Sequence, residues 1–508
     1  MIRNFYSFFC TCILLLVANV TNCYAQYETN LTVSLNEYTK ELDIRQEFTY
    51  YNNSNYNLGV IYFNDWANAY SDKNTGLAKR FAQEFKKSLH LAKADERGKT
   101  TIISVVDDSY NGLEWSRTEG KDILKVTLSD ILPPNTSTKI FITYKVKLPP
   151  NKYTTYGYGN RGDYYLKDWY LTPAVYDGQW HLYSNKNLED LYMNVTNTVI
   201  NFKFPDSLYL ASNFDIKSES AFPNGQFAKL KGNLQRGGEI ILKTQKDFYT
   251  HRTPYMTFLT DIKAPRYSPI GQGLSINKVA NFIHNNLGDY PHEKILVSEL
   301  DYNKDPLYGL NQLPSFIRPY EEQFQFEMKF LKTAINSILR ETMFLNPRKE
   351  QWLNSAIANY LMIAYIEENY PDQKLMGKLS KIWGFRSFEL AKMDFNDQYA
   401  FLYNLTARKN LDQALQTSND SLIKFNQKIA NKYKAGLGLA YLADYIGKEH
   451  VDESIKRFFE YYKLNNVKVH DFESILKRST NQDIDWFFRD YVSTDRKIDF
   501  KIKKVKKD

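Results

Sequence analysis

The histidines of this chain lack the spacing that a zinc-hydrolase site requires. Such a site uses two imidazoles one helical turn apart, and a carboxylate takes the proton from the metal-bound water. The chain contains seven histidines, and no two of them are three or four residues apart. His292 and Glu293 form an isolated dipeptide after a Tyr-Pro turn, a pattern typical of a surface loop. Histidine spacing therefore predicts no metal site.

Residues 352–360 (WLNSAIANY) carry a more informative pattern. The segment resembles the W-L-N-E-G-x-A-x-Y helix of the membrane alanyl aminopeptidases, the gluzincin zinc peptidases, and five of the seven defined positions match. In that family the glutamate of this helix is the third zinc ligand, and eighteen residues separate it from the second histidine of H-E-x-x-H. Counting back from Ser355 places that motif on residues 332–336 (KTAIN). The resemblance implies that both segments are helices of one domain.

The residue types at these positions do not suit zinc hydrolysis. By the resemblance, Lys332 stands at the first histidine and Thr333 at the general base. Asn336 stands at the second histidine and Ser355 at the third ligand. An ammonium group at a ligand position repels a divalent cation, and a threonine hydroxyl cannot accept a proton from water at neutral pH. We therefore expect no zinc, no metal ligands and no active catalytic residues here.

Two further positions follow from the same resemblance. Residues 433–436 (YKAG) are similar to the family's Y-x-x-G segment, whose tyrosine stabilises the tetrahedral intermediate. Residues 309–313 (GLNQL) stand where the family has G-[AG]-M-E-N, so Gln312 replaces the glutamate that holds the substrate's free amine. Tyr433 is thus the one retained catalytic position, and Gln312 is a candidate for substrate binding.

One alternative keeps hydrolytic activity without zinc. If the family fold holds, Lys332 and Ser355 lie on facing helices and could form a Ser–Lys pair of nucleophile and base. The other interpretation is a polar plug that fills an emptied metal site. The sequence offers no evident oxyanion-hole donor for the first alternative.

The elements that would position these residues change in character near residue 250. Before that point the chain alternates with period two, as in residues 141–148 (FITYKVKL), which predicts strands. Residues 76–94 are the one clear helical insertion. Afterwards helical periods dominate, first over 319–344 and later over 376–393.

We therefore expect an α+β fold with two domains. The first is an N-terminal β-rich, saddle- or sandwich-like domain over residues 26–250. The second, over 251–495, is a mostly helical, thermolysin-like gluzincin domain, as the resemblance implies.

The first 25 residues have the pattern of a signal peptide. Arg3 precedes an apolar stretch over residues 5–20, and Ala25 is a small residue before a cleavage position. We expect a mature chain that starts at Gln26 and is exported to the periplasm, the cell envelope or the extracellular space. It would lack disulfides, because the signal contains all three cysteines: Cys10, Cys12 and Cys23. An uncleaved anchor and lipid attachment at Cys23 are the alternatives.

Positive charge is concentrated at the C-terminus. The formal net charge is +8, and residues 496–508 contain seven basic and two acidic residues. The rest of the chain is near neutral, so nucleic acid is not an expected partner. The basic tail suits contact with an anionic membrane surface or a partner protein, or else it is the truncated start of a further β domain.

Together these features predict an exported, catalytically inactive aminopeptidase-like protein that binds peptide or protein in the cell envelope. Two alternatives stay open. One is an active peptidase, through an unrecognised zinc site or the Ser355 and Lys332 dyad. The other is a purely structural envelope protein. Function depends on the site, so fold resemblance does not decide among them.

Overall fold

The computed structural model describes residues 27–308, 310, 319–384 and 387–497. The predicted signal, Gln312 and the tail beyond residue 497 lie outside these residues. Within them, no helix combines the length and the apolar character needed to cross a bilayer. The fold is α+β, with strands dominating the first part and helices the second, as the sequence predicts.

Strands dominate the chain up to residue 260. In chain order they are β1 (Tyr27–Asn36), β2 (Glu41–Tyr51), β3 (Leu58–Asn64), β4 (Lys99–Val106), β5 (Trp115–Arg117), β6 (Ile123–Leu132), β7 (Ser137–Lys147), β8 (Gly157–Tyr158), β9 (Tyr164–Leu166), β10 (Thr172–Pro173), β11 (Thr196–Phe204), β12 (Tyr209–Ser212), β13 (Asp215–Phe222), β14 (Gly225–Gln235), β15 (Ile240–Lys243), β16 (Tyr249–Arg252) and β17 (Thr257–Thr260). Helix α1 (Gly76–Gln83) and 3-10 turns at Trp66–Tyr70 and Ala94–Glu96 lie between them.

A seven-stranded sheet in the order β13-β14-β11-β1-β2-β7-β4 forms the base of this part. β1 pairs in parallel with β11 and antiparallel with β2. Residues along β1 alternate between buried and exposed, so one face of the sheet packs on the core. This part also contains two four-stranded sheets, β10-β3-β6-β5 and β12-β15-β9-β8, and its strands β16 and β17 form a three-stranded sheet with β18 (Ile295–Val297). Phe48, Phe63 and Trp169 are among the side chains of its hydrophobic core.

Helices dominate after residue 268. In chain order they are α2 (Pro269–Leu287), α3 (Glu299–Lys304), α4 (Glu322–Thr342), α5 (Gln351–Asn369), α6 (Glu389–Lys392), α7 (Asp397–Ala407), α8 (Asn431–Ile446), α9 (Lys448–Tyr462) and α10 (Val469–Ser479). Shorter elements between them are strands β18 (Ile295–Val297), β19 (Met343–Phe344) and β20 (Asn465–Asn466), a 3-10 turn at Gly377–Lys381, and π-helical turns at Asn426–Ala430 and Phe487–Val492. The helices share a second hydrophobic core.

The prediction of a single helix over residues 376–393 is wrong. The described residues of this stretch form only the 3-10 turn at Gly377–Lys381 and the four-residue helix α6. Gly377 has a φ of +52°, and a Cβ atom there would lie 2.0 Å from the carbonyl oxygen of Pro319. The chain therefore turns where the hydrophobic pattern suggested a continuous helix.

A buried ion pair joins the two parts of the molecule. Arg348 Nη2 donates to Asp190 Oδ1 at 3.0 Å and to the carbonyl oxygen of Ser184 at 2.9 Å. Only 4% of Arg348 and 1% of Asp190 are exposed. Nearby, Arg80 of α1 donates to the carbonyl oxygens of Asp420 and Leu422, and the Asp420 carboxylate lies 3.5 Å from Arg348 Nη1. These contacts hold the helical part against the β-rich part.

Replacing Arg348 by alanine is expected to lower the free energy of unfolding by about 3–5 kcal/mol, because Asp190 is left as a buried charge without its partner. Urea denaturation followed by circular dichroism measures the loss. Arg489→Ala is the matched control, since it removes an exposed ion pair with Asp490 and should lower the free energy of unfolding far less. Equal losses in the two variants would contradict this role for Arg348.

Candidate functional site: a cationic cavity between the two parts

A cavity of about 540 Å³ lies between the β-rich part and the helices. Its wall includes Lys332, Thr333 and Asn336 of α4, Ser355 of α5 and Tyr433 of α8. The structure thus brings to one cavity the five described residues that the sequence analysis selects. The volume is within the range of small-ligand sites.

Helix α4 is held by an apolar face and by one buried carboxylate. Glu327 is 0% exposed, and its oxygens accept hydrogen bonds from Tyr365, Tyr370 and Ser275 at 2.6, 2.6 and 2.8 Å. A carboxylate with this many donors is well satisfied in the interior. The apolar face recurs at helical spacing and is buried throughout: Phe324, Met328, Leu331, Ile335 and Ile338. The apolar face and Glu327 together fix α4 against its neighbours and thereby position Lys332.

Lys332 belongs to an ion cluster. Its Nζ atom lies 3.3 Å from Asp305 Oδ2, and Lys432 Nζ lies 2.8 Å from the same oxygen. Burial opposes ionisation of Asp305, but the two ammonium groups outweigh it and hold the pKa of this carboxyl well below its usual range. Burial lowers the pKa of Lys332, and the attraction of Asp305 partly offsets that effect. Asp305 follows directly after α3, which brings it to this wall.

Thr333 has its hydroxyl proton committed to the helix. Thr333 Oγ1 donates to the carbonyl oxygen of Lys329, four residues earlier, at 2.8 Å. This is the usual back-bond of a helical threonine. The residue at the general-base position therefore caps a backbone carbonyl.

The Ser–Lys alternative lacks its defining contact. A nucleophile and its base must lie within hydrogen-bond reach of each other. Among the described residues, Lys332 pairs with Asp305, and no hydrogen bond joins its Nζ atom to Ser355 Oγ. The two residues line one cavity without forming the dyad.

A close helix contact sets the distance between Ser355 and Tyr433. A Cβ atom added to Gly436 of α8 would lie 2.5 Å from the Cβ atom of Asn359 on α5, so the two helices touch through this glycine. Asn359 Nδ2 donates to the carbonyl oxygen of Ser355 at 2.8 Å and to that of Lys432 at 3.3 Å. One side chain thereby ties the two helices together beside the ion cluster.

Tyr433 is a buried, neutral hydroxyl. It is 4% exposed, and its ring packs against Tyr399 with 4.7 Å between ring centroids. Burial raises the pKa of Tyr433 well above its ordinary value, and a hydrogen bond from the backbone of Tyr308 offsets this in part. The hydroxyl can donate or accept a hydrogen bond, but it carries no charge at neutral pH.

The far end of the cavity contains charged residues that the sequence analysis missed. Arg340 Nη2 lies 3.7 Å from Glu239 Oε2 and 3.9 Å from Glu341 Oε1. Lys332, Asn336 and Arg340 are spaced by four, and this spacing was the signal that could have placed Arg340 on the same helix face. Glu239 belongs to the β-rich part, and no local pattern connects it to α4.

Glu341 is a carboxyl with a raised pKa at this end. Burial raises the pKa of Glu341 to about 7, against the attraction of Arg340 and a hydrogen bond from the Tyr290 hydroxyl. The Tyr290 hydroxyl donates to Glu341 Oε2 at 2.6 Å, and Glu341 Oε1 has no hydrogen-bond partner. The folded protein therefore holds a proton here that the unfolded chain releases near pH 4.5.

Because the folded-state pKa is raised, this proton stabilises the fold at low pH, and the contribution is lost as pH rises from about 4.5 to about 7. Glu341→Gln is expected to match the wild type at pH 4.5 and to exceed it at pH 8 by on the order of 3 kcal/mol. Urea denaturation across this range measures the difference. The control is Glu293→Gln on the exposed surface, whose profile should parallel that of the wild type. A Glu341→Gln profile parallel to the wild type would disprove the assignment.

The side chains at the positions of the family's zinc ligands do not fit zinc. Zinc sites use imidazole, thiolate or carboxylate ligands, whereas these helix positions carry Lys332, Asn336 and Ser355. The ammonium groups of Lys332 and Lys432 would repel a divalent cation. Across the part of the chain that the structure describes, no three His, Cys, Asp or Glu side chains are grouped so that they could hold a metal ion.

The second part of the chain matches a known family. Residues 347–491 match the model of the Peptidase family M1 domain. This stretch includes the helix of Trp352 and Ser355 as well as Tyr433. The resemblance to the gluzincin aminopeptidases is thereby confirmed. No curated protein matches the chain by sequence.

Solved structures share the fold over almost the whole chain. The M1 zinc metallopeptidase from Deinococcus radiodurans covers 93% of this chain and 94% of its own, with a TM-score of 0.58 and 12% identity. A point mutant of that protein, bound to a Tyr-Ser-Ala substrate, covers the same shares with a TM-score of 0.57 and 12% identity. A two-domain M1 zinc metallopeptidase mutant bound to L-tryptophan covers 94% and 96%, with a TM-score of 0.58 and 12% identity. Identity this low shows the fold, not the activity.

Proposed function

We propose that this chain is an exported, catalytically inactive aminopeptidase-like protein that binds peptide or protein in its cavity within the cell envelope. The observation that carries the proposal is the ion cluster at the position of the family's first zinc ligand. There Lys332 pairs with Asp305, at the wall of a cavity that is still large enough for a ligand. A cavity kept without its metal donors supports binding without hydrolysis.

Peptide hydrolysis by the family's chemistry requires an activated water. Zinc lowers the pKa of its bound water to about 7, and a carboxylate then takes the proton. Lys332, Asn336 and Ser355 supply no zinc site, and the hydroxyl of Thr333 is bonded to a backbone carbonyl. The family's tyrosine stabilises the negative charge of the tetrahedral intermediate. Without an activated water that intermediate does not form, so Tyr433 alone does not support hydrolysis. The proposal therefore includes no zinc cofactor and no aminopeptidase turnover.

The purified mature chain is expected to contain no stoichiometric zinc and to show no aminopeptidase activity that a chelator abolishes. The combined variant Lys332→His, Thr333→Glu, Asn336→His and Ser355→Glu should bind one zinc ion, because it supplies two imidazoles one turn apart and a facing carboxylate. Elemental analysis and a peptide-cleavage assay measure both outcomes.

Asn336→His alone is the matched control for this reconstruction, since it supplies one ligand and should acquire no zinc. One zinc ion per wild-type chain, or chelator-sensitive turnover by the wild type, would overturn the proposal of an inactive protein. A combined variant that folds but binds no zinc would show that the helix positions are misassigned.

The export part of the proposal rests on the first 25 residues, and the basic tail adds a proposed contact with an anionic membrane surface or a partner. Mass spectrometry of the protein recovered from the producing cell should give a mature N-terminus at or near Gln26, because Ala25 precedes the expected cleavage position. A mature protein that retains Met1 would refute cleavage.

A further inference from the structure

The Lys332 end of the cavity carries an excess of positive charge. Lys332 and Lys432 share a single oxygen atom, Oδ2 of Asp305, at 3.3 and 2.8 Å. Lys428, four residues before Lys432, lines the same cavity and forms no ion pair with another described residue. Three ammonium groups therefore accompany one carboxylate.

Acidic side chains elsewhere in the wall do not balance this excess. Among the described residues of the lining, eleven are Lys or Arg and six are Asp or Glu. Most of the acidic residues other than Asp305 pair with cations at the far end of the cavity. These pairs are Glu189 with Lys167, Asp301 with Lys304, and Glu239 with Arg340. Three further lining cations, Lys86, Lys152 and Arg348, pair with Glu84, Glu96 and Asp190 outside the lining. At the Lys332 end, the local excess is that of Lys332, Lys428 and Lys432 over Asp305.

Uncommitted hydrogen-bond donors line the same cavity as Lys332. The side chains of Asn336 and Ser355 line the cavity, and neither forms a hydrogen bond to another described residue. The ammonium group of Lys332 has three N–H donors, and Asp305 is its one ion-pair partner among the described residues. An acceptor that enters the cavity here can accept a hydrogen bond from the Lys332 ammonium, and the Ser355 hydroxyl and the Asn336 amide offer further donors on the same wall.

We propose that this end of the cavity binds a carboxylate group of a peptide, with Lys332 and Lys432 as the charged donors and Ser355 as a neutral donor. The inference rests on the proposed peptide-binding function and specifies the group that the cavity recognises. Ammonium groups form charge-assisted hydrogen bonds with carboxylates, and these are stronger than neutral ones. Where the resembling family binds a cation, this chain binds an anion.

Two sources supply the same chemical group, and three tripeptides distinguish them. Every unmodified peptide ends in a carboxylate, and aspartate or glutamate side chains carry another. Isothermal titration calorimetry of the full mature chain would compare Ala-Ala-Ala as the free acid, Ala-Ala-Ala amide, and Ala-Glu-Ala amide. The free acid is expected to bind at least tenfold more tightly than its amide. If Ala-Glu-Ala amide equals the free acid, the side-chain carboxylate also binds; if it equals Ala-Ala-Ala amide, recognition is limited to the C-terminus.

Substitutions of opposite sign test the residues. Lys332→Met should lower the affinity for the free acid to that of the amide and leave the amide unchanged. Asp305→Asn keeps the shape of the side chain but removes the competing carboxylate, so it should raise the affinity for the free acid at least threefold. Lys432→Met, at a more exposed position, repeats the first test if Lys332→Met does not fold.

Lys448→Met is the matched control, because it removes a surface lysine paired with Asp452 outside the cavity and changes the net charge equally. It should leave all affinities unchanged. Equal affinities for all three tripeptides, or equal losses for the free acid and the amide in Lys332→Met, would refute carboxylate recognition while leaving peptide binding intact. Absence of binding by all three tripeptides at millimolar concentration would refute the peptide-binding function itself.

Discussion

The buried contact between Arg348 and Asp190 is the interaction on which the candidate site depends. The β-rich part forms one wall of the cavity and the helices form the other. The shape of the cavity therefore depends on the relative position of the two parts. Asp190 follows Glu189 of the first wall, and Arg348 lies just before α5, which carries Ser355 of the second. The buried guanidinium and carboxylate bind each other because neither can be solvated where it lies. Their pairing therefore sets the separation of the two walls.

The chemistry of the site follows from the sign of the charge that its side chains carry. A metal centre would gather carboxylates and neutral imidazoles around a cation. Here two ammonium groups gather around the carboxylate of Asp305, and the same location becomes cationic. The fold is shared with zinc metallopeptidases over almost the full chain, yet it leaves this sign undetermined. The two ammonium groups of Lys332 and Lys432, which outnumber the carboxylate of Asp305, determine it.

The sequence was informative where a pattern is local and periodic. The WLNSAIANY segment and its interval to residue 332 identified two facing helices and the polar residues that line the cavity. Asp305 and Lys432 escaped prediction, because each lies on a different element and only tertiary contact brings them to Lys332. The error over 376–393 has another cause. Apolar spacing there suited a helix, but the close approach of Gly377 to Pro319 forces a turn that periodicity does not report.

The contact of Gly436 with Asn359 makes position 436 intolerant of substitution, unlike positions that line the cavity. Any side chain larger than hydrogen at 436 would push α5 and α8 apart, whereas Lys332, Asn336 and Ser355 line the cavity. The residues that define the chemistry are therefore separable from those that hold the shape. A protein engineer could rewrite the cavity's specificity at these three positions without redesigning the core, provided that the glycine is kept.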